Sequence, residues 1–285
     1  MTPLTRFAPA PTGYLHLGHV VNALYVWRWG REQSADVLLR IEDHDRQRTR
    51  PEYERAILDD LDWLGFLPDR YPTSAFRHGP CESRQSDRDA IYRRVAGDLI
   101  ARGLVYGCTC TRQDLARARR DDIPAPGTLV YPGTCRDRGI APVDGIAWRV
   151  RIDDTTERFD DALCGPCEQY PARKHGDVVI RDRHGNWTYQ FAVTVDDHEQ
   201  GIDLVIRGRD LLDSTGLQIA LGRLIGRSAP ARFAHHALLM KSATQKLSKS
   251  DGDTGVRELR AAGWSPDMAI ARAMASIPVV QTQRF

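Results

Sequence analysis

A strand, a polar glycine-bearing turn and a helix occupy the first 31 residues, and this unit constrains the fold more than anything else in the chain. Leu4 to Ala8 is a short apolar run with strand character, and Val20 to Arg31 reads as a helix. Between them lies Pro11-Thr-Gly-Tyr-Leu-His16-Leu-Gly-His19. The spacing puts His16 and His19 at a helix N-terminus, where free backbone N–H groups and the helix dipole favour phosphate. Gly18 removes a side chain where an adenine could approach the backbone. A second run, Lys246-Leu-Ser-Lys249-Ser250, offers two ammonium groups and two hydroxyls on a polar loop suited to a departing pyrophosphate. Each run alone is equally well a capped helix or a basic surface loop. Paired in this order, they read as the two nucleotide-handling loops of an enzyme that adenylates an acid with ATP.

The rest of the chain alternates in the same way. Val37 to Ile41 reads as a buried strand, and Glu52 to Leu64 as an amphipathic helix opened by Pro51. Asp87 to Arg102 is helical and ends at Gly103; Val105 to Cys110 is extended. From Thr111 to Pro171 the chain is rich in Pro, Gly, Arg and Asp and reads as an insertion lobe. Regular structure resumes at Val178 to Arg181, turns at His184-Gly-Asn186 and runs on over Thr188 to Val195. Ile202 to Arg207 is a strand, Leu211 to Ile225 a helix, and Ala237 to Met240 a short strand feeding the lysine loop. Helices at Val256 to Ala262 and Pro266 to Ala275 follow. The expected fold is α/β, a parallel sheet with helices on both faces, split by an insertion. Its parts are a first catalytic half at 1–107, a lobe at 108–170, a second half at 171–250 and a helical segment at 251–285. No internal repeat and no GxGxxG run occurs, which argues against a dinucleotide enzyme.

An apolar fraction of 41% and a charged fraction of 27% are ordinary for a soluble globular chain of 285 residues. Without an apolar run of membrane-spanning length or a basic-then-apolar leader, a soluble cytoplasmic protein is expected. A net charge of +2 does not announce a nucleic-acid binder. Any RNA contact must come from local patches, Arg46, Arg48 and Arg50 or Arg112, Arg117, Arg119 and Arg120, though the residues alone favour solvated helix faces for both. Six cysteines without an export signal read as metal ligands or inert thiols. Cys108 and Cys110 give two thiolates from one bend and Cys135 a third; the Tyr131 phenol can fill a fourth tetrahedral position. Cys164 and Cys167 could supply that fourth ligand instead, form a redox pair, or be idle thiols. Cys81 stands alone and reads as structural.

Several spaced runs together resemble the class I glutamyl-tRNA synthetase catalytic domain. They are Arg6-Phe-Ala-Pro-Ala10-Pro-Thr-Gly13, His16-Leu-Gly-His19, Arg40-Ile-Glu42-Asp43, Val193-Thr-Val-Asp196-Asp197-His198, Val205-Ile-Arg207-Gly208 and Lys246-Leu-Ser-Lys249-Ser250. The resemblance runs from Arg6 to about Ser250. Only 35 residues, 251–285, follow Ser250, too few for an anticodon-binding domain, because domains rarely fall below ~50 residues. The chain is therefore similar to the short branch of that family. The resemblance implies a Rossmann-like sheet and one structural zinc ion on Cys108, Cys110, Tyr131 and Cys135. It also implies ATP as substrate with magnesium, and a monomer acting on the anticodon stem-loop of tRNA(Asp).

Glutamate carries two carboxylates and one ammonium, so its site needs two cationic groups and one anionic group, set apart. Arg6 and Arg207, at strand ends, suit the carboxylates through two-pronged geometry. Glu42 ends a strand and could receive the ammonium, and Tyr189 can donate its hydroxyl to a carboxylate. The resemblance makes these four the glutamate ligands, with backbone help from Ala8 and Ala10. Three positions depart from the family: Ala10 stands for Ser, Gln190 for Asn and Leu247 for Met. His16, Gly18 and His19 are expected on ATP, and Lys246 and Lys249 on the transition state and pyrophosphate. The glutamyl group would then pass to queuosine at the wobble position. Two rivals are a compact synthetase charging a tRNA 3′ end, and a catalytically dead, zinc-bearing RNA-binding or glutamate-sensing protein.

Overall fold

The computed structural model describes residues 2–117, 130–238 and 255–277. Its main sheet has six strands in the order β2-β1-β8-β9-β5-β6. These strands are β1 (Leu4–Phe7), β2 (Asp36–Leu39), β5 (Glu157–Asp161), β6 (Gly165–Gln169), β8 (Leu204–Gly208) and β9 (Arg232–His236). All neighbours are parallel except the β5–β6 hairpin. A second, three-stranded sheet in the order β3-β4-β7 is antiparallel and comprises β3 (Val105–Cys108), β4 (Ala147–Val150) and β7 (Val178–Arg181). The fold is α/β with a parallel-dominated sheet, as expected from the alternation.

Helices cover both faces of the main sheet. On one, α1 (Leu17–Glu32) lies over β1, β2 and β8, with α2 (Pro51–Leu64), α8 (Val256–Ala261) and α9 (Pro266–Met274) stacked behind it. Phe7, Leu39, Leu204 and Ile206 face this layer and meet Val20, Leu24, Ile57, Leu61 and Ala269 in the largest apolar cluster. The opposite face carries α6 (Tyr189–Glu199) and α7 (Thr215–Leu224). With α3 (Asp89–Ala101), these bury Tyr92, Leu99, Phe191, Val195 and Leu217 against Val105, Val150 and Ile180 of the small sheet. The short helices α4 (Arg112–Arg117) and α5 (Pro171–His175) complete the α-helices among the described residues.

The structure departs from the sequence pattern in three places. Residues 189–195 lie in α6, a helix with Thr188 as its N-cap, because Phe191, Ala192 and Val195 share one buried face at helical spacing. The hairpin β5–β6 falls inside the Pro- and Gly-rich span 111–171 yet joins the main sheet, with Asp161 opposite Phe233 of β9. Its attachment is a parallel pairing with β9, a strand far along the chain, so local composition did not reveal it. The strand expected at 237–240 is observed earlier, as β9, ending at His236; residues 239–240 lie outside the described ones.

One buried carboxyl costs the fold stability. Asp60, on α2 against α8, is 4% exposed, and its Oδ2 has no hydrogen-bond partner. Burial raises its pKa to about 7, against the pull of Arg260. A carboxyl raised in the folded state binds its proton more tightly there than in the unfolded chain, so stability falls as pH rises towards 7. Asp60→Asn is expected to stabilise the protein by about 1–3 kcal/mol at pH 8, the scale for a buried unpaired polar group. The gain should shrink towards pH 5. Urea unfolding at both pH values checks this; a pH-independent difference would contradict it.

Candidate active site

The parallel strands end on one side of the sheet, where an open α/β fold binds its ligands. The β1–β2 ladder continues past the strand ends, with Arg40 N donating to Phe7 O at 3.0 Å and Glu42 N to Pro9 O at 3.1 Å. This continuation sets Glu42 beside the loop bearing Ala8 and Ala10, both half-buried. Arg207 stands opposite His235 in the β8–β9 register. The four expected glutamate ligands share one neighbourhood: the Tyr189 phenol is raised by burial and by Glu42, and pulled back by Arg207 and Arg6. It therefore remains protonated and able to donate.

Buried charge organises this centre. Arg40 is fully buried; it donates to Glu42 Oε1 from Nη2 at 2.9 Å and to Asp197 Oδ1 from Nη1 at 2.8 Å, and lies 3.9 Å from Asp196. Arg6 Nε also donates to Asp197 Oδ1, at 3.1 Å. Asp196 takes Arg88 Nε and Gln85 Nε2 at 2.7 Å and the Tyr92 hydroxyl at 3.0 Å. Burial alone would raise the Asp197 carboxyl, but Arg6 and Arg40 outweigh it and hold it at about 2. Three guanidiniums thus face three carboxylates.

Arg207 is different. Its Nη1 donates to Gln218 Oε1 at 2.7 Å, Nη2 to Thr215 Oγ1 at 2.9 Å, and Nε to His235 Nε2 at 2.9 Å. Gln218 in turn donates to Gln190 Oε1 at 2.9 Å, and Gln190 to Ser214 Oγ at 2.9 Å. Every one of these partners is neutral, and among the described residues no carboxylate pairs with Arg207 directly. Burial, the largest influence, lowers its pKa. A buried guanidinium oriented by neutral acceptors is prepared for an anion from outside.

The first nucleotide motif folds as a reciprocal cap. His16 is the N-cap of α1: its Nδ1 accepts from Gly18 N at 3.0 Å, while His19 Nδ1 accepts from His16 N at 3.1 Å. With both Nδ1 atoms accepting, the neutral rings carry their protons on Nε2. A Cβ at Gly18 would stand 2.8 Å from His16 Cε1, so the glycine admits the histidine ring. Gly255 bridges to His16, and Val256 N donates to Leu15 O at 2.9 Å. Leu238 lies against Gly208, where a Cβ would meet its Cδ2 at 2.8 Å. Both flanks of segment 239–254 therefore reach the strand-end side. Lys246, Leu247 and Lys249 lie outside the described residues, as do Arg119 and Arg120; Arg46, Arg48 and Arg50 are exposed on the loop after Glu42.

Cys108, Cys110 and Cys135 form the one group of metal-capable side chains among the described residues, their sulfurs all within 4.8 Å of one another. Cys110 Sγ lies 3.6 Å from Cys135 Sγ, and Cys108 Sγ is 3.6 Å from the Tyr131 hydroxyl. Thiolates around a tetrahedral zinc with ~2.3 Å bonds would stand about 3.8 Å apart, so the donor set fits that ion. Cys164 and Cys167 sit elsewhere, at the β5–β6 hairpin; Cys164 Sγ donates to His235 O at 3.5 Å and Cys167 Sγ to Gly165 O at 3.4 Å.

The model of the class I tRNA synthetases (E and Q), catalytic domain, matches residues 4–277. The chain belongs to this family. It is accordingly a ligase of the aminoacyl-tRNA synthetase type, and this class uses ATP. A glutamyl-Q tRNA(Asp) synthetase of Rhodobacter capsulatus is 38% identical over 92% of this chain and 96% of its own length. One from Bordetella bronchiseptica is 43% identical over 87% of this chain and 75% of its own. A glutamate tRNA ligase from Elizabethkingia meningosepticum, solved in complex with its amino acid, matches with a TM-score of 0.73 at 32% identity. That match covers 88% of this chain, which spans only 53% of the solved ligase. No helix among the described residues is long and apolar enough to cross a membrane.

Sequence reasoning missed Arg40, Asp196 and Asp197 as working parts, although the family motifs contain them. Their signal was charge placed within apolar strand and helix runs. Asp161, His235, Thr215 and Gln218 lie in no such motif; the sheet brings Asp161 and His235 to Arg207, and α7 brings Thr215 and Gln218. Arg40→Met should cost about 3–5 kcal/mol in urea unfolding, the scale for stranding buried charges, because Glu42 would lose its guanidinium partner and Asp196 and Asp197 would keep only the guanidiniums of Arg88 and Arg6.

Proposed function

We propose that the chain activates L-glutamate with ATP and transfers the glutamyl group to queuosine at the wobble position of tRNA(Asp). The observation that carries the first step is Arg207, buried among neutral partners beside Arg6, Glu42 and Tyr189. Arg207 and Arg6 take the two carboxylates, Glu42 the ammonium, Tyr189 donates its hydroxyl, and the Ala8 and Ala10 backbones line the site. Ala10 lacks a hydroxyl, a loss of ~0.5–1.5 kcal/mol of binding. His16, Gly18, His19 and the α1 N-terminus receive the triphosphate, with magnesium accompanying ATP. Lys246 and Lys249 stabilise the charge that develops on the phosphates. An oxygen of the α-carboxylate bonds to the α-phosphorus, and pyrophosphate leaves with the electrons of the broken α–β bridge. A queuosine hydroxyl then attacks the acyl carbon and yields its proton to the departing phosphate, while AMP leaves with the electrons of the broken acyl carbon–oxygen bond.

The names of the relatives matched over most of their length support the acceptor. This reading makes the protein a cytoplasmic monomer that engages the anticodon stem-loop. ATP–pyrophosphate exchange should proceed with glutamate, without tRNA, and not with glutamine. A neutral amide leaves one guanidinium without its charged partner, a loss of ~1.5–3 kcal/mol. Radioactive glutamate should label queuosine-containing tRNA(Asp) and spare the queuosine-free form; equal labelling of both would indicate charging of the 3′ end.

One zinc ion on Cys108, Cys110, Cys135 and Tyr131 would tie the end of β3 to the 131–135 turn, a structural role at a cluster with few large apolar residues. Serine at any of the three cysteines should abolish stoichiometric zinc by metal analysis. Tyr131→Phe should weaken zinc less, since water can replace a phenol. The double change Cys164→Ser, Cys167→Ser should keep the metal content, because these thiols lie outside the cluster.

A further inference from the structure

We propose that Asp161 and His235 are positioning residues for glutamate: Asp161 holds the one His235 tautomer that lets Arg207 present its guanidinium to the substrate carboxylate. This rests on the reading of Arg207 as a glutamate ligand. His235 is fully buried on β9. Its Nδ1 lies 2.5 Å from Asp161 Oδ2, and its Nε2 2.9 Å from Arg207 Nε. An ionised carboxylate only accepts and a guanidinium only donates, so the proton sits on Nδ1 and the lone pair on Nε2. Burial lowers the His235 pKa, and Arg207 and Arg6 act in the same sense, so the ring is neutral near pH 7 despite Asp161.

The carboxylate is itself fixed. Asp161 Oδ1 accepts from the backbone N–H groups of Leu163, Cys164 and His235 at 3.0, 2.9 and 3.2 Å, which leaves Oδ2 for the imidazole. Thr215 Oγ1 accepts from Arg207 Nη2 at 2.9 Å and stands 3.2 Å from His235 Nε2, so the hydroxyl and the imidazole together hold one edge of the guanidinium. The relay Asp161–His235–Arg207 crosses three adjacent strands, β5, β9 and β8. A carboxylate that sets an imidazole tautomer is the arrangement of hydrolase triads, used here to aim a guanidinium rather than to move a proton.

The test is steady-state ATP–pyrophosphate exchange with the full chain. In Asp161→Asn the backbone N–H groups keep Oδ1, so the amide N–H₂ turns to Nδ1 and drives the ring proton onto Nε2, against Arg207. The expected result is a roughly 10–100-fold rise in the glutamate KM, the scale of one hydrogen bond to a charged group. The ATP KM should be unchanged and kcat within about threefold, the pattern of lost uniform binding. His235→Leu should raise the glutamate KM similarly. His235→Gln should recover most of that loss, because its amide can donate to Asp161 while its carbonyl accepts from Arg207. A general packing role would instead lower kcat and thermal stability alike and show no recovery by Gln. Arg207→Ala is the reference. If it raises the glutamate KM while Asp161→Asn does not, or if Gln at 235 is no better than Leu, the positioning role is overturned. If Arg207→Ala itself leaves the glutamate KM unchanged, the glutamate reading of Arg207 fails.

Discussion

Arg40 is the residue on which the arrangement of the site depends. A guanidinium cannot shed its charge, so burying it completely requires matched carboxylates. Glu42 supplies one from the same strand end, and Asp196 and Asp197 supply two from α6. This contact ties the β1–β2 edge to a helix more than 150 positions later in the chain; the Arg40–Asp197 separation is 157. It also fixes the Glu42 carboxylate and, through Asp197, the guanidinium of Arg6. The rigidity of the site is thus electrostatic, and the neighbouring charges give it little freedom to relax.

Arg207 lies at the edge of this balanced cluster and follows a different rule. Its donors end on an imidazole, an amide and a hydroxyl, none of which neutralises it. Gln190 connects Gln218 with Ser214. Three guanidiniums are compensated within the protein, and a fourth is oriented without compensation. Arg40 and Arg88 build the centre, Arg6 is held by Asp197 at its edge, and Arg207 is the guanidinium left without a carboxylate partner among the described residues.

The cysteines divide along the same structural lines. Cys108, Cys110 and Cys135 converge because β3 ends where the 131–135 turn returns, with Tyr131 N donating to His175 O at 3.2 Å. The hairpin holding Cys164 and Cys167 belongs to the main sheet, and its place there delivers Asp161 to His235. A span that looks uniform in composition therefore contains one candidate metal cluster and one edge of the candidate active site.

The sequence alone was enough to read the alternating α/β order, the turn that carries His16 and His19, and the CxC and Tyr131-to-Cys135 spacing. These features are local: hydrophobic period, glycine and proline punctuation, and short motifs express themselves within a few residues. It also nominated Arg6, Glu42, Tyr189 and Arg207, whose convergence follows from lying at strand ends or helix starts. Helix α6, the sheet membership of β5–β6 and the Arg40 cluster were decided only by tertiary structure. A short apolar run does not say which face it buries, and the hairpin's parallel partner β9 lies far along the chain. A charge inside a strand is silent about its partners until distant residues pack against it. The partners of Arg207 make the same point, since Asp161 and His235 acquire their roles from strand order, and strand order is not written in any one segment of the chain.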